Sequence, residues 1–269
     1  MGSAAEEGRW NDDFWTGIWP RRERLTSSVT GFLLRHLAPA PGERILDVGS
    51  GGGLATLEMA AAVGAAGRVV GADISRQLVE LATRRAADAQ AGNVTFVRTD
   101  VQAADVAGAP FDAVTSQFGV MFFDEPVRAF TRLAAQTAPG GRLAFACWQD
   151  GALNPWNVGA VLARFAPPAP EPGPGRSTTG PFVFGDAAYT SDLLEEAGWS
   201  AVACHPYRQE AVVDRVALFD EGELEFRAIP VSRRRAAMDA VEERLAPLAT
   251  GDGRIAAPLA FQIFTAARA

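Results

Sequence analysis

The sequence predicts an α/β fold in which a mostly parallel sheet is covered by helices on both faces and closed by an antiparallel edge strand. Three observations carry that reading. Short aliphatic runs alternate with helix-length stretches at the spacing of crossover units. The first run enters a glycine-rich turn, Gly49-Ser50-Gly51-Gly52-Gly53, ahead of a helix. After the alternation breaks, two late strand candidates remain to complete the sheet.

The elements follow in order. Pro20 and the residues after it read as a helix with proline in its first turn and Leu25, Val29 and Leu33 on one face, ended by Ala38-Pro39-Ala40-Pro41-Gly42. A strand fits 44–48, and Leu54, Leu57 and Ala61 suit the helix after the glycines. A second unit has a strand at 68–72, a helix capped by Ser75 and running to about 89, and a strand at 94–97. Then come a strand at 112–116, a helix at 124–136 and a strand at 143–148. Beyond Trp148, Asn154-Pro155-Trp156 leads through an Ala-rich helical segment into a proline- and glycine-rich stretch. A helix at 189–197 and strands near 201–204 and at 261–267 complete the set of seven strands. Between the last two strands, Met238, Val241 and Leu245 sit at helical spacing, with Arg233, Arg234, Arg235, Glu242 and Glu243 expected on a solvated face.

A chain of 269 residues can bury a large core, and one domain is the simpler expectation. The formal net charge of -7 builds in no attraction to nucleic acid or anionic lipid. Cys147 and Cys204 lie far apart in apolar runs, which suits a reducing cytoplasm better than a disulfide scaffold. With only His36 and His205 beside them, no tight metal-ligand cluster exists in sequence. The N-terminus does not read as an export signal, and no apolar run is long enough to span a bilayer. A cytoplasmic protein without membrane or nucleic-acid partners is the expectation.

An apolar strand entering a glycine turn and then a helix points backbone N–H groups at the mouth of the sheet. Taken alone, such a turn can also bind nothing. Gly49, Gly51 and Gly53 form G-x-G-x-G, whereas a dinucleotide fingerprint would need glycine where Leu54 stands, and no G-K-[ST] ending marks a triphosphate loop. Asp73 ends the second strand, where a carboxylate can accept hydrogen bonds from both hydroxyls of a ribose, and Asp100 holds the comparable place after the third. Each could instead be a surface cap.

These residues carry a resemblance to the class I S-adenosylmethionine-dependent methyltransferases, strong over residues 40 to 150. Ile45-Leu46-Asp47-Val48-Gly49-Ser50-Gly51-Gly52-Gly53 resembles the first motif, Val69-Val70-Gly71-Ala72-Asp73 the second, and Thr99-Asp100-Val101 the adenine-edge region. Phe111-Asp112-Ala113-Val114-Thr115-Ser116-Gln117-Phe118-Gly119 is similar to the fourth-strand motif that lines the transfer site, and Ala138-Pro139-Gly140-Gly141-Arg142-Leu143 matches the turn before the fifth strand. The resemblance implies a Rossmann-like methyltransferase fold with a mostly parallel seven-stranded sheet. It also implies S-adenosylmethionine as methyl donor, S-adenosylhomocysteine as product and no metal. The cofactor residues it implies are Asp47, Gly49, Ser50, Gly51, Gly53, Asp73, Ile74, Asp100, Val101 and Gln117. Ser116-Gln117-Phe118-Gly119 replaces the Asn/Asp-Pro-Pro-Tyr pattern of enzymes that methylate planar amide or base nitrogens. "QFGVMFF", "CWQ" and "NPW" look like the small-molecule branch related to quinone and specialised-metabolite methyltransferases.

On this reading residues 1–269 form a single catalytic domain. Residues 1–39 make N-terminal substrate-covering helices, 40–150 the main cofactor-binding core, 151–187 an active-site cover inserted after strand five, and 188–269 the remaining helix and terminal strands. Methyl transfer needs a nucleophile in line with the carbon–sulfur bond and water kept away. Trp10, Phe14, Trp15 and Trp19 form an aromatic entrance; with Phe118, Trp148 and Trp156 they are the candidate substrate-binding residues, ordinary packing being the alternative for each. Glu23, Gln117 and His205 are the candidate catalytic residues, with Asp12 and Asp13 as further bases if the N-terminal segment folds over the crevice and Ser116 as an orienting group. The expected acceptor is a hydrophobic, aromatic small molecule such as an indole or phenol, methylated at carbon, nitrogen or oxygen, and a homodimer is plausible. The competing functions are RNA or protein methylation and a non-catalytic, S-adenosylmethionine-binding regulatory role.

Overall fold

The computed structural model describes residues 7–167 and 179–268; most of the proline- and glycine-rich run, at 168–178, lies outside them. Seven strands form one sheet in the order β3-β2-β1-β4-β5-β7-β6. They are β1 (Arg44–Val48), β2 (Arg68–Asp73), β3 (Val94–Arg98), β4 (Phe111–Gln117), β5 (Thr137–Trp148), β6 (Trp199–Val213) and β7 (Ile255–Arg268). The first five are parallel, and β7 runs antiparallel between β5 and β6, so antiparallel pairing is confined to that edge. The helices are α1 (Asp13–Leu37), α2 (Leu54–Val63), α3 (Arg76–Asp88), α4 (Pro126–Gln136), α5 (Gly159–Ala163), α6 (Ala187–Glu196), α7 (Leu224–Arg227) and α8 (Val231–Leu245).

Central strands need apolar residues on both faces, and β1 shows it: Ile45, Leu46 and Val48 are all buried. In α1, Leu25, Val29, Leu33 and Leu37 recur every four residues and are all buried, which docks the helix across the sheet. In α4, Ala129, Phe130 and Leu133 face the core while Arg128 and Thr131 stay outside. Arg142 fixes the assembly at the base of the sheet. Its guanidinium takes Glu43 with two bonds of 2.7 Å and donates to the carbonyls of Leu37 and Ala38, tying the end of α1 to β1 and β5.

Two expectations are corrected. Pro20 does not stand in the first turn of α1: Asp12 caps the helix by accepting from the Phe14 N–H, and the helix runs seven residues ahead of the proline. The cap outweighs the single backbone bond that a proline removes. The last two strands are also longer than their apolar stretches, because β6 and β7 pair from Trp199 with Arg268 to Val213 with Ile255. An edge strand needs only one apolar face, so alternating residues such as His205, Tyr207 and Gln209 extend β6 without an apolar run. Between β6 and β7 the chain leaves the sheet to build α7 and α8.

Candidate active site

A cavity of about 480 Å³ lies over the carboxyl ends of β1, β2 and β4, where the strand order reverses between β1 and β4. Its floor is the glycine turn. Gly49 has φ +68°, and a Cβ there would come within 2.8 Å of Gly119 Cα, so the turns after β1 and β4 touch backbone to backbone. Gly51 and Gly53 do not line the cavity. The Gly51 N–H donates to Asp73 Oδ2 over 2.8 Å, and Gly53 caps α2 at φ +81° where a Cβ would meet Phe96 and Ala82. Those two glycines shape the turn, while Gly49 and Ser50 face the space.

Three strand-end carboxylates reach it: Asp47, Asp73 and Asp100. Asp47 is buried, accepts from the Thr56 hydroxyl at 2.6 Å, and is pushed up to about 7 by burial, with the neighbouring Asp73 charge adding to the rise. Asp73 Oδ1 accepts from the Ser75 N–H and Oδ2 from Gly51, each at 2.8 Å. Burial holds its carboxyl above the usual range although these backbone bonds favour the charged form. A carboxylate offers about four acceptor positions, and with the Ile74 N–H also acting on Asp73, capacity remains for a ribose hydroxyl. Asp100 accepts from the Gln102 N–H at 2.9 Å, and Ile74, Thr99, Val101 and Gln102 complete this end.

The opposite end is aromatic. Phe118 stacks on Trp148 with ring centroids 4.2 Å apart, and Trp148 meets Trp156 edge-on at 4.9 Å. Phe118 holds φ +63°, a left-handed conformation unusual for a large side chain, at the turn that ends β4. Asn154 sets the position of Trp156: its amide pairs with both backbone groups of Ala260 at 2.9 Å and its oxygen accepts from the indole N–H at 3.1 Å. Trp10, Trp15 and Trp19 line the wall under the N-terminal segment.

Of the candidate catalytic residues, Gln117 and Glu23 reach the cavity. Gln117 donates to the Thr26 carbonyl in α1, and its Oε1 is buried without a partner among the described residues. Glu23 is engaged elsewhere. It pairs with Arg85 at 2.8 Å, and the same guanidinium nitrogen holds the Gly52 carbonyl at 2.8 Å, which clasps α1, α3 and the glycine turn together. His205 does not reach the site. It lies on β6 at the far edge of the sheet, stacks on His36 at 4.1 Å and contacts the Thr265 hydroxyl. Phe14 also turns away, packing on Gly222 and Trp15. Asp12 pairs with Arg227, Asp13 accepts from Gln77, and Ser116 Oγ accepts from the N–H groups of Gly119 and Val120, fixing the turn after β4.

Sequence reasoning missed the far wall. Leu218, Glu223 and Glu225 arrive from the insertion between β6 and β7, and Arg9 and Arg22 meet them from the N-terminal side. Their only local signal was charge in a stretch that reads as surface.

An open, mostly parallel α/β sheet with a ligand-sized space over a glycine turn and strand-end acids is a Rossmann-like fold. The chain belongs to the S-adenosylmethionine-dependent methyltransferases. A family profile for a methyltransferase domain matches residues 45–141. Nocamycin O-methyltransferase of Saccharothrix syringae is 31% identical over 178 residues, 63% of this chain and 64% of that one. The O-methyltransferase rstn1 of Aspergillus nomiae is 32% identical over 168 residues, 57% of this chain and 72% of that one. The ubiquinone/menaquinone biosynthesis C-methyltransferase UbiE of Ectopseudomonas mendocina is 33% identical over 141 residues, 52% of each. The chain thus spans about half of the quinone relative and just under two thirds of the nocamycin relative. In fold it superposes on the YcgJ protein of Bacillus subtilis with a TM-score of 0.62 at 14% identity, covering 90% of this chain and 98% of that one.

Proposed function

We propose that this protein transfers a methyl group from S-adenosylmethionine to carbon, nitrogen or oxygen of a hydrophobic, aromatic small molecule of the size of an indole or phenol. The observation that carries the reading is the continuity of one cavity from the Asp47, Asp73 and Asp100 carboxylates to the Phe118–Trp148–Trp156 wall. The cofactor end fits the donor: Ser50 Oγ is buried without a partner among the described residues and faces the same space as Asp73. S-adenosylmethionine supplies an electrophilic methyl group on a sulfonium.

The chain's residues do the rest. Asp73 takes a ribose hydroxyl, Asp100 faces the adenine edge, and Asp47 orients the methionyl ammonium directly or through water. The aromatic faces shield a cationic sulfur and exclude water. Gln117 Oε1 orients a polar group at the junction of the two ends. The described parts of the N-terminal segment and of the stretch after β5, which bring Trp10, Trp15, Trp19 and Trp156 to the wall, act as covers, and exchange of both ligands requires them to open. The O-methyltransferase and quinone C-methyltransferase names among the relatives support a small-molecule acceptor.

The test is calorimetry with S-adenosylhomocysteine, followed by transfer of labelled methyl to a panel of phenols, hydroquinones and indoles. Binding together with transfer to at least one aromatic acceptor supports the proposal. Transfer to bulk RNA or protein but none of the panel redirects it, and no binding of S-adenosylhomocysteine overturns it.

A further inference from the structure

Among the described residues the cavity wall carries one largely buried ion pair away from the strand ends and the glycine turn. Arg22 of α1 and Glu223, the residue that precedes α7, meet with side chains only 18% and 11% exposed. Among the described residues, every other carboxylate on the wall is committed at the cofactor end or the rim. Asp47, Asp73 and Asp100 belong to the strand ends, Glu23 clasps the glycine turn through Arg85, and Glu225 pairs with Arg9 where both are about a third exposed. Among the described residues, Glu223 is therefore the carboxylate left to face the tryptophan-lined space from outside the strand ends.

Its surroundings are built rather than incidental. Glu223 Oε1 accepts from both Arg22 and the Asp220 N–H at 3.0 Å, so one oxygen is held by two donors while Oε2 takes neither bond. Arg22 is fixed in turn, its guanidinium 5.5 Å above the Trp15 ring, with its Nε buried and unpartnered among the described residues. Burial pushes the Glu223 carboxyl up while the Arg22 charge pulls it down. A desolvated pair of this kind contributes little net stability, and an apolar pair of similar volume would serve the fold as well. It does supply an acceptor oxygen and a donor nitrogen to the aromatic space, on a different wall from the Gln117 amide.

We propose that the Arg22–Glu223 pair selects acceptors bearing an aromatic hydroxyl, with Glu223 accepting that hydroxyl's hydrogen bond. The inference rests on the small-molecule reading above and narrows it from any aromatic acceptor to phenol-like ones. A site built to hydrogen-bond a hydroxyl discriminates strongly against an analogue that lacks it, because the buried polar groups are then left unpaired.

The test uses the full chain with 1-naphthol and 1-methoxynaphthalene as probes, in equilibrium dialysis with and without saturating S-adenosylhomocysteine. Wild type is expected to bind naphthol about tenfold more tightly than its methyl ether, the range of a hydrogen bond to a charged group. Glu223→Gln should cut that ratio to about threefold or less, with S-adenosylhomocysteine affinity unchanged. Because Glu223→Gln leaves Arg22 with a neutral partner and can impair folding, a double variant, Arg22→Met with Glu223→Leu, removes both charges together. It should bind the ether at least as tightly as naphthol. Absent naphthol binding, no preference in wild type, or a wild-type ratio in the folded double variant would each overturn the inference. Loss of S-adenosylhomocysteine binding in wild type with the naphthol preference intact would instead sink the methyl-donor reading and leave this one standing.

Discussion

The Gly51 N–H donates to Asp73 Oδ2 across 2.8 Å, so the glycine turn after β1 is fastened to the carboxylate that ends β2. The same carboxylate takes the Ser75 N–H at the start of α3. One side chain therefore shapes the loop and offers its remaining acceptor capacity to a ligand. Asp73→Asn keeps the size but replaces one acceptor oxygen with an NH2 donor facing a backbone N–H. We predict that this variant loses at least tenfold in S-adenosylhomocysteine affinity and is also less stable than wild type. Asp73→Ala should lose more affinity. Calorimetry and denaturant unfolding read the two effects separately, and retention of wild-type affinity by Asp73→Asn would refute the ribose assignment.

Gly51 has a second neighbour. At φ +53°, a Cβ on it would come within 2.3 Å of the Trp19 ring. The N-terminal helix thus packs directly on the glycine turn, and Gly51→Ala should displace Trp19 as well as strain the backbone, costing about 1–3 kcal/mol. Adding Trp19→Ala should recover the steric part and leave the conformational part. A double-mutant cycle on unfolding free energies measures the coupling, and strict additivity of the two changes is the outcome that rejects the contact.

How much of this was legible follows from the range of the signals. Asp73 and Asp100 could be placed from sequence because each follows a short apolar strand, and strand ends in a parallel sheet converge on one crevice, whereas Asp47 was placed through the resemblance of its motif. The buried face of α1 was legible in Leu25, Val29 and Leu33 for the same local reason. Glu223 and Leu218 were not, because nothing within the β6–β7 insertion shows that it folds back over the site. That placement depends on pairs more than two hundred positions apart in sequence, such as Arg22 with Glu223. His205 misled because it follows an apolar strand start, and only the order β5-β7-β6 shows that strand to be the far edge. The seven-residue forward extension of α1 past Pro20 was hidden by treating proline as a start signal when Asp12 supplied a stronger one.

Asp47 links stability to pH. Its folded-state carboxyl is pushed up to about 7, chiefly by burial, from an ordinary value of 3.8. A raised carboxyl means the folded chain binds more protons than the unfolded chain between those values, so this residue's contribution falls as pH rises through that window. Asp47→Asn should therefore gain stability relative to wild type between acidic and mildly alkaline pH, by roughly 3–5 kcal/mol when fully developed. Unfolding at both ends of the range checks it, and a pH-independent difference counts against it. An ammonium bound beside Asp47 favours the charged form, so S-adenosylhomocysteine affinity should strengthen as pH rises toward 8 in wild type, and less so in Asp47→Asn.

The last prediction concerns how the site opens. Three ion pairs of alternating polarity join the N-terminal segment to the stretch around α7: Arg9 with Glu225, Asp12 with Arg227, and Arg22 with Glu223. Glu223, Glu225 and Arg227, alternate residues of one short stretch, thus meet Arg22, Arg9 and Asp12, and the two segments cannot part without breaking all three. The outer two pairs are partly exposed, so each contributes about 0.5 kcal/mol and is screened by salt. Together they amount to about 1 kcal/mol, roughly a fivefold change in rate if they are intact when closed and broken when open. Glu225→Gln combined with Arg227→Gln should accordingly speed release of S-adenosylhomocysteine about fivefold, read by stopped-flow fluorescence of Trp10, Trp15 and Trp19 on the same segment. Raising salt from about 50 mM to about 500 mM should speed release in wild type but add little in the double variant, since the screened pairs are already gone. Equal salt sensitivity in both proteins would assign the effect to other charges and leave the paired segments without a part in opening.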